Sequence, residues 1–381
     1  MNTPNFDILP LSSWLTTQKN SFENNTENTT KTSITRQPAI IAGPCSAETE
    51  EQLLETCLAL AEVGVDAFRA GVWKPRTRPG MFEGNGEIAL SWIQTVKKYT
   101  KIPFSVEVAT PQHVELALKY GVEILWIGAR TTVNPFNVQD LADCLRGVDV
   151  PVMIKNPVNP DLSLWIGAIE RIYNAGIRKI TAIHRGFSGM NQDKYRNAPT
   201  WQIPLELRRM FPEIPLICDP SHITGRRDLI ESVSQKALDL NYDGLMIETH
   251  PNPDTAWSDA KQQITPARLK EILKNLKIRN EVIDNSFVIN QLEEIRSKID
   301  TIDRELLEVL MTRMNLVEQI GTYKKDHHMT VFQRERWNEI FNSRAEWAEQ
   351  MQLNKKFVTQ LFELIHVESI KKQTQIVNQQ K

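Results

Sequence analysis

Eight short runs of apolar and β-branched residues, separated by helical stretches, are the feature that most restricts how this chain can fold. The runs lie at 39–43, 66–72, 103–109, 123–128, 151–155, 179–184, 214–218 and 244–248. The intervening helical stretches include 48–62, 87–99, 111–119 and 161–175. Strands that alternate with helices form parallel sheets, because each helix carries the chain back to the edge where the previous strand began. The pattern predicts an α/β fold built on an eightfold parallel β/α barrel of the TIM type.

The residue pattern changes near 275–290, and the rest of the chain is predicted to be entirely helical. Apolar residues recur every three or four positions from Leu292 to Lys324, and no glycine or proline occurs in this run before Gly321. One very long helix is expected there, followed by helices near 333–349 and 354–373. Three helices form a domain too thin to be stable alone, so we expect this all-α domain to dimerise.

The N-terminal residues 16–36 are rich in serine, threonine and asparagine, a composition typical of flexible segments. The predicted organisation is a flexible arm at 1–37, a barrel at 38–275, a linker at 276–290 and a helical domain at 291–381.

Charge and cysteine content exclude several classes of function. The 45 basic and 47 acidic residues leave a net charge of −2, which gives no electrostatic basis for binding nucleic acid or a membrane. The four cysteines lack disulfide spacing, and the N-terminus lacks the pattern of a secretory signal. Both observations favour a cytoplasmic protein.

Ionisable side chains follow the predicted strands at their C-terminal ends, where the active site of such a barrel is assembled. In "PLICDPSHITGRRD", residues 215–228, an apolar strand stops at Asp219 and His222. Cys45, Glu248 and the nearby Asp259 complete a set of thiolate, imidazole and carboxylates. Taken singly, Cys45 is more often a small buried apolar residue, but four such groups at matching strand ends favour one divalent ion, Mn, Fe, Co or Zn. Asp219 would orient the groups around His222.

Six cations occupy the same predicted rim: Arg69, Lys74, Arg76, Arg130, Lys155 and Arg185. Pairing with Glu83, Glu107 or Asp219 could account for one or two of them, but not for six. Buried cations are costly unless they are paired, so this set indicates an anionic guest. A divalent metal beside phosphate-binding cations suggests chemistry on sugar phosphates or phosphoenolpyruvate.

The motifs "AGPCS", "FRAGVWKPRT", "IGAR", "IKNP", "HRG", "DPSH", "IETH" and "SDAKQQ" give residues 38–275 a specific resemblance. They occur in the order found in 3-deoxy-D-arabino-heptulosonate 7-phosphate (DAHP) synthases, most closely the compact core-barrel subfamily. The resemblance implies that the metal ligands are Cys45, His222, Glu248 and Asp259. It implies that phosphoenolpyruvate is bound by Arg69, Lys74, Arg130, Lys155 and Arg185. It implies that erythrose 4-phosphate is bound by Lys74, Pro75, Arg76, Thr77 and Asp219.

The same resemblance implies a reaction in which the metal activates the aldehyde, C3 of phosphoenolpyruvate attacks it, and Lys155 manages protons near C2. Two residues depart from the family pattern: Arg78 follows "KPRT" where a small residue is commoner, and His184 precedes "RG" where an acidic one is expected.

Cations also lie within the predicted long helix. Arg313 and Lys324 share its apolar stripe, and Arg296 lies beside that stripe. A coiled-coil seam with a snorkelling end would explain Lys324 alone. Arg313 in the middle of the stripe instead favours a pocket for a small dianion. On the third helix the apolar stripe continues into Ser369 and Gln373.

From Arg296 to Gln373 the chain resembles the all-helical chorismate mutases without a gap. The resemblance places these residues on ligand-contacting positions: Arg296, Arg313, Lys324, Gln333, Arg336, Ser369 and Gln373. In that family two protomers intertwine, so Arg296 would act across the dimer, and Lys324 would stabilise charge on the breaking ether oxygen. Gln333 and Trp337 stand where acidic residues are common.

These observations predict a bifunctional shikimate-pathway enzyme, a DAHP synthase barrel fused to a chorismate mutase that dimerises. Two alternatives stay open. The barrel could use another sugar-phosphate aldehyde, or the helical domain could mainly dimerise and sense ligands, for which Trp337 is the best support. We also expect prephenate or chorismate, bound in the helical domain, to inhibit the barrel by feedback.

Overall fold

The computed structural model describes residues 6–15, 37–75, 80, 82–189, 194–279 and 286–378. The chain divides into two compact units, Met1–Glu281 and Val282–Lys381. Each unit has its own secondary-structure class.

The first unit is a closed barrel of eight parallel strands, as the alternating pattern predicts. The strands are β1 Ala39–Gly43, β2 Ala67–Ala70, β3 Phe104–Val108, β4 Ile124–Ile127, β5 Val152–Lys155, β6 Ile180–His184, β7 Leu216–Cys218 and β8 Gly244–Glu248. Each strand pairs with the next one in sequence, and β8 closes the barrel on β1, where Ile41 pairs with Met246. All eight predicted strands are confirmed.

Helices separate the strands and cover the outside of the barrel. The helices of this unit are α1 Glu50–Val63, α2 Glu87–Val96, α3 Pro111–Lys119, α4 Ala129–Thr132, α5 Pro135–Cys144, α6 Leu162–Asn174, α7 Gln202–Met210, α8 Pro220–Thr224, α9 Ile230–Asp239 and α10 Pro266–Asn275. Local sequence sets several of their starts. Thr49, Thr110, Asp161 and Thr265 each accept a hydrogen bond from a backbone amide of the first helical turn.

Alternation along the strands divides the core into two layers. Ile40 and Ala42 face outward and pack with helix residues such as Leu53 and Leu60. The residues between them point into the barrel, where side chains from the strands fill the interior. This inner cluster contains Leu15, Ala39, Ile41, Ala67, Ile124, Trp126, Met153, Ile183, Ile217 and Met246.

The N-terminal residues 6–15 pack on the barrel, although the sequence predicts a flexible arm over 1–37. Leu15 is 1% exposed and joins the inner cluster, while Phe6 contacts Tyr173 and Phe211 with ring centroids 5.0 Å apart in each case. The Leu9 amide donates to the Arg178 carbonyl just before β6, so this segment covers the N-terminal end of the barrel. Six of its ten residues are apolar. Contacts with distant strands, which no local pattern specifies, decide that they join the core. Residues 16–36 lie outside the described part of the chain.

Replacing Leu15 with alanine is expected to destabilise the barrel by about 2–5 kcal/mol, because it leaves a cavity in a closed interior. The measurement is the urea midpoint of unfolding followed by tryptophan fluorescence. Leu9→Ala is the matched control, since Leu9 is 39% exposed and its loss should change the midpoint little. Equal midpoints for the two variants would contradict a structural role for Leu15.

The second unit consists of three helices, as predicted: α11 Ser286–Asp326, α12 Arg334–Gln350 and α13 Lys355–Asn378. α13 packs against both of the others. A side chain at Gly321 would meet Ile376 at 3.1 Å and the Gln373 backbone at 3.3 Å, so glycine lets α11 and α13 approach closely here. The side chains from 288 to 309 on α11 are all exposed, apolar ones included. In the described ranges, no helix combines the length and the apolarity needed to cross a membrane.

Candidate active sites

The C-terminal rim of the barrel collects the ionisable residues that follow the strands in sequence. Glu248 is the last residue of β8, Lys155 the last of β5 and His184 the last of β6. Two glycines permit close approach between neighbouring loops. A side chain at Gly71 would lie 1.9 Å from the Cys45 carbonyl oxygen, and one at Gly128 would lie 2.0 Å from the Glu107 carboxylate.

Three of the four predicted metal ligands form one cluster. Ligand atoms of Cys45, Glu248 and Asp259 all lie within 4.8 Å of one another. The fourth, His222, lies beside the cluster, with its Nε2 3.7 Å from Oε1 of Glu248. Asp219 is fully buried and contacts the other ring nitrogen of His222 at 2.8 Å, which aims Nε2 toward Glu248.

Residues close in sequence to Asp259 hold the cluster in place. Nε2 of Gln262 donates to Oε2 of Glu248 at 2.7 Å, and Oε1 of Gln263 accepts from the Cys45 amide at 2.9 Å. Both glutamines belong to the "SDAKQQ" motif. Arg196, which sequence reasoning missed, pairs with Asp259 at 2.9 Å from a loop distant in sequence.

The cluster has the charge and donor chemistry of a site for a divalent transition metal. Nζ of Lys74 donates to Sγ of Cys45 at 3.0 Å. Burial nevertheless raises the pKa of the thiol to about 12, and the negative charge of Glu248 contributes to the increase. Burial alone would raise the pKa of Asp259, but Arg196 and His222 hold it below its usual range. Oε1 of Glu248 is buried and accepts no hydrogen bond from the described residues, although Nη2 of Arg69 lies 3.0 Å away. Thiol, imidazole and carboxylate groups with an unused oxygen fit a borderline cation.

Buried positive charge surrounds this cluster. Arg69 is 1% exposed and Lys155 is 4% exposed, and both lie over the ring of Trp126 at 5.1 and 5.8 Å. Nζ of Lys155 donates to Oδ2 of Asp219 at 2.8 Å, but burial still lowers the pKa of this lysine. Burial lowers the pKa of Arg185 to about 10. The charge of Asp219 opposes this shift, whereas the charges of Arg196 and Arg130 add to it.

Several donors of these cations are unused. Nε and Nη1 of Arg69 and Nη1 of Arg185 are buried without a hydrogen-bond partner in the part of the chain that the structure describes. A buried guanidinium normally satisfies its donors, so the arrangement is suited to a bound anion. Arg130 is exposed at the same rim. Arg76 and Thr77, together with Arg78, lie outside the described residues.

A cavity of about 230 Å³ adjoins Lys74 and Pro75. Its walls are Trp73, Lys74, Pro75, Glu83, Glu107, Ala109 and His113. The rings of Trp73 and His113 stack with centroids 4.0 Å apart. Sequence reasoning missed both aromatic residues, although Trp73 lies inside the "FRAGVWKPRT" motif. Lys74 is thus part of the cavity wall and also contacts the thiol of Cys45.

His184, the departure before "RG", is fully buried and acts as an anchor for the neighbouring loop. Its Nε2 lies 2.6 Å from the Pro199 carbonyl oxygen, and its Nδ1 lies 3.0 Å from the Tyr242 hydroxyl. Burial lowers the pKa of this imidazole to about 3, so it is neutral. An acidic side chain is therefore not needed here to hold the segment that carries Arg185.

The helical unit carries a second cationic cluster. Nη1 of Arg313 on α11 donates to Oγ of Ser369 on α13 at 2.7 Å, and Nζ of Lys324 donates to the Val331 carbonyl at 2.6 Å. Burial lowers the pKa of both cations. Gln373 is buried on the same helix as Ser369, whereas Gln333 and Arg336 are exposed near the start of α12.

Arg296 lies apart from this cluster within one chain. It is exposed and pairs with Glu293 at 2.5 Å. It precedes Arg313 by 17 positions on one helix, which separates them by about 25 Å along the axis. The structure of a single chain therefore does not bring Arg296 to Arg313.

The fold and the two clusters define a class: a parallel β/α barrel enzyme with buried cations beside a thiol and carboxylate cluster, joined to a helical domain with its own cationic site. Residues 23–284 match the DAHP synthetase I family, and residues 295–374 match chorismate mutase type II. The chain belongs to the DAHP synthetase I family and carries a chorismate mutase domain after its barrel. It is a bifunctional enzyme of the shikimate pathway, as the motifs predicted.

The individual relatives include two kinds of aldolase. Phospho-2-dehydro-3-deoxyheptonate aldolase of Thermotoga maritima is 32% identical over 238 residues, covering 62% of this chain and 68% of the relative. The crystal structure of the DAHP synthase from T. maritima is similar with a TM-score of 0.57 and 31% identity, covering 62% of this chain and 67% of that chain. 2-Dehydro-3-deoxyphosphooctonate aldolase of Vesicomyosocius okutanii is 28% identical over 264 residues, covering 62% of this chain and 89% of the relative.

Proposed function

We propose that the barrel condenses phosphoenolpyruvate with erythrose 4-phosphate to DAHP and phosphate, and that the helical domain rearranges chorismate to prephenate. The observation that carries the first activity is the set of unused, buried guanidinium donors of Arg69 and Arg185 beside the thiol and carboxylate cluster. Phosphate and carboxylate are the anions that such donors bind in pairs.

In the barrel, Cys45, His222, Glu248 and Asp259 would hold one divalent ion, whose chemistry is Lewis-acid activation of the aldehyde oxygen. Arg69, Lys155 and Arg185, with Lys74 and Arg130, would bind phosphoenolpyruvate and orient its C3 toward the aldehyde carbon. C3 forms the new carbon–carbon bond, water adds at C2, and the C2–O bond to phosphate breaks. Lys155 would hold and return the proton near C2, since Asp219 accepts from its Nζ and burial lowers its pKa.

The loop Lys74, Pro75, Arg76 and Thr77, with Asp219, would bind erythrose 4-phosphate. The alternative is a longer aldehyde, because relatives named as octonate aldolases are also similar to this chain. The higher identity to a heptonate aldolase favours the four-carbon acceptor. The test is phosphate release from phosphoenolpyruvate with a panel of four- and five-carbon sugar phosphate aldehydes, each product being identified by its mass. A preference for a five-carbon aldehyde, which would give an eight-carbon product, would replace this assignment.

For the helical domain, the substrate would be held by Arg313, Lys324, Gln333, Arg336, Ser369 and Gln373, with Lys324 next to the breaking ether bond. We infer that Arg296 is supplied by a second copy of the chain. Two features support a homodimer: Arg296 lies about 25 Å from Arg313 along α11, and the side chains of 288–309 expose a long apolar surface. Formation of prephenate by the purified protein tests the activity. A protein that binds chorismate without converting it would favour the alternative of a dimerising, ligand-sensing domain.

We further propose feedback control, in which prephenate bound in the helical domain inhibits the barrel. Prephenate titrated against DAHP formation is expected to inhibit the wild-type protein and to leave Arg313→Ala active, because that variant loses the carboxylate partner. Couplings of this kind are about 1–3 kcal/mol, or roughly 5–150-fold in affinity. Arg304→Ala is the control, since Arg304 is an exposed cation on the same helix. Undiminished inhibition of Arg313→Ala would place the inhibitor site elsewhere.

A further inference from the structure

His366 lies on the ligand-facing side of α13 and has no assigned role in the helical domain. It precedes Ser369 by three positions and Gln373 by seven, so the three side chains share one face of the helix. Its Nδ1 is buried without a hydrogen-bond partner among the described residues, as is Oε1 of Gln373. Two unused polar atoms on the helix face that carries Ser369 indicate a partner supplied by a ligand.

Trp337 fixes the orientation of the His366 ring. The two rings meet edge to face with centroids 4.4 Å apart and an interplanar angle of 74°. Trp337 is itself packed against Phe332 and Phe341. The imidazole is therefore held by an aromatic cluster rather than by a hydrogen bond, which leaves its nitrogens available to a ligand.

The site is rich in hydrogen-bond donors and poor in acceptors. Arg313, Lys324 and Arg336 can only donate, and so can the indole of Trp337. Oγ of Ser369 already accepts from Arg313 and donates to the Ile365 carbonyl. These donors can bind the two carboxylates of a ligand. A ligand hydroxyl that donates a hydrogen bond instead needs an acceptor from the protein. Besides the exposed amide of Gln333, two buried acceptors without a partner among the described residues of this unit are Oε1 of Gln373 and Nδ1 of His366.

Burial and the surrounding positive charge both disfavour the protonated form of His366. Burial lowers the pKa of the imidazole, and the positive charges of Arg313, Lys324 and Arg336 lower it further. A neutral imidazole always carries one nitrogen with a free lone pair, whereas an imidazolium has none. The cations that bind the carboxylates thus also preserve the acceptor.

We propose that His366 is a further substrate-contacting residue of the helical-domain site, whose ring nitrogen accepts a hydrogen bond from the ring hydroxyl of the bound cyclic dicarboxylate. This inference rests on the proposed mutase function. It assigns Trp337 the part of a positioning residue, which holds the imidazole toward the substrate in place of contacting the hydroxyl itself.

The test compares His366→Leu with His366→Asn, using chorismate and an analogue that lacks the ring hydroxyl. Leucine keeps the packing on Trp337 but removes the acceptor, so kcat/KM for chorismate and its binding constant should each fall about tenfold. Asparagine places an oxygen near the position of Nδ1 and should restore both to within about threefold of wild type. The analogue should bind wild type and both variants equally. Thermal unfolding followed by far-UV circular dichroism, which reports the helices of this unit, establishes that each variant is folded.

The comparison separates a contact from a packing role. Equal losses for chorismate and the analogue, or a folded His366→Asn variant that fails to recover, would overturn the proposal, and so would no loss in His366→Leu. The measurement of chorismate binding distinguishes failure of the His366 proposal from failure of the proposed mutase function. A wild-type protein that binds chorismate without forming prephenate would refute the mutase activity but still test His366. A wild-type protein that does neither would overturn both.

Discussion

Replacing Cys45 with serine, or His222 with alanine, is expected to abolish DAHP formation while prephenate formation stays close to wild type. Cys45 belongs to the cluster with Glu248 and Asp259, and His222 approaches Glu248 from the side. Changes to groups that only support a metal ligand cost about 10–100-fold in affinity, so loss of a direct ligand should cost at least about a hundredfold. The measurements are metal content of the purified protein and both activities in metal-limited buffer.

Cys144→Ser is the matched control for this experiment. Cys144 is half-buried, and its Sγ lies near the Pro111 carbonyl at 3.8 Å, away from the rim cluster. This variant should retain metal and both activities. The helical domain offers no comparable set of ligands among its described residues, so its activity should not depend on the metal. Thermal unfolding of each variant shows whether its barrel is still folded. Near wild-type DAHP formation by Cys45→Ser in the presence of chelator would show that this cluster is not the metal site.

Replacing Arg313 with alanine is expected to lower prephenate formation by several hundredfold or more. Arg313 is half-buried, donates to Ser369 and lies close enough to Arg344 for the two charges to interact. Removing one partner of a desolvated ion pair costs about 3–5 kcal/mol. In this variant the bound substrate carboxylate would lack the guanidinium group that pairs with it. The measurement is kcat/KM for chorismate, with Arg304→Ala as the exposed control on the same helix. DAHP formation without inhibitor should not change.

A mixture of Arg296→Ala and Arg313→Ala chains tests whether the site is shared between two copies. A heterodimer of these chains contains one complete site and one site lacking both arginines. Random pairing should therefore recover about a quarter of wild-type activity, although each variant alone is nearly inactive. Heterodimers verified by two different affinity tags that show no recovery would place Arg296 outside the shared site. Recovery would also be direct evidence for the homodimer.

Much of the barrel could be predicted because its information is local. Runs such as 39–43 and 244–248 are apolar throughout, as strands buried on both faces must be. The order of a parallel barrel then follows from the order of the strands in sequence. The proximity of Cys45 and Glu248 could be predicted for the same reason, because the ends of neighbouring parallel strands lie at one rim of the barrel. The long helix was equally clear, because its apolar spacing continues without a break.

Other parts of the molecule depend on contacts that no local pattern encodes. Leu15 packs in the barrel interior although more than twenty residues separate it from β1. The apolar residues before it are compatible with burial but do not specify which strands the segment meets. Arg196 pairs with Asp259 from a distant loop, and Trp73 stacks on His113 from a different strand end. In each case the partner is set by the curvature and register of the closed barrel.

The helical domain shows the same division between local and tertiary information. The sequence by itself determined that cations lie on an apolar helical stripe, because period 3.6 assigns Arg313 and Lys324 to one face. Only the tertiary structure decided that the ring of His366 packs against Trp337 and that its Nδ1 is buried without a partner among the described residues. A histidine on a helix is compatible with either solvent or a pocket, and the choice depends on which helix packs against it. Packing between α12 and α13, rather than periodicity, produced the contact between His366 and Trp337.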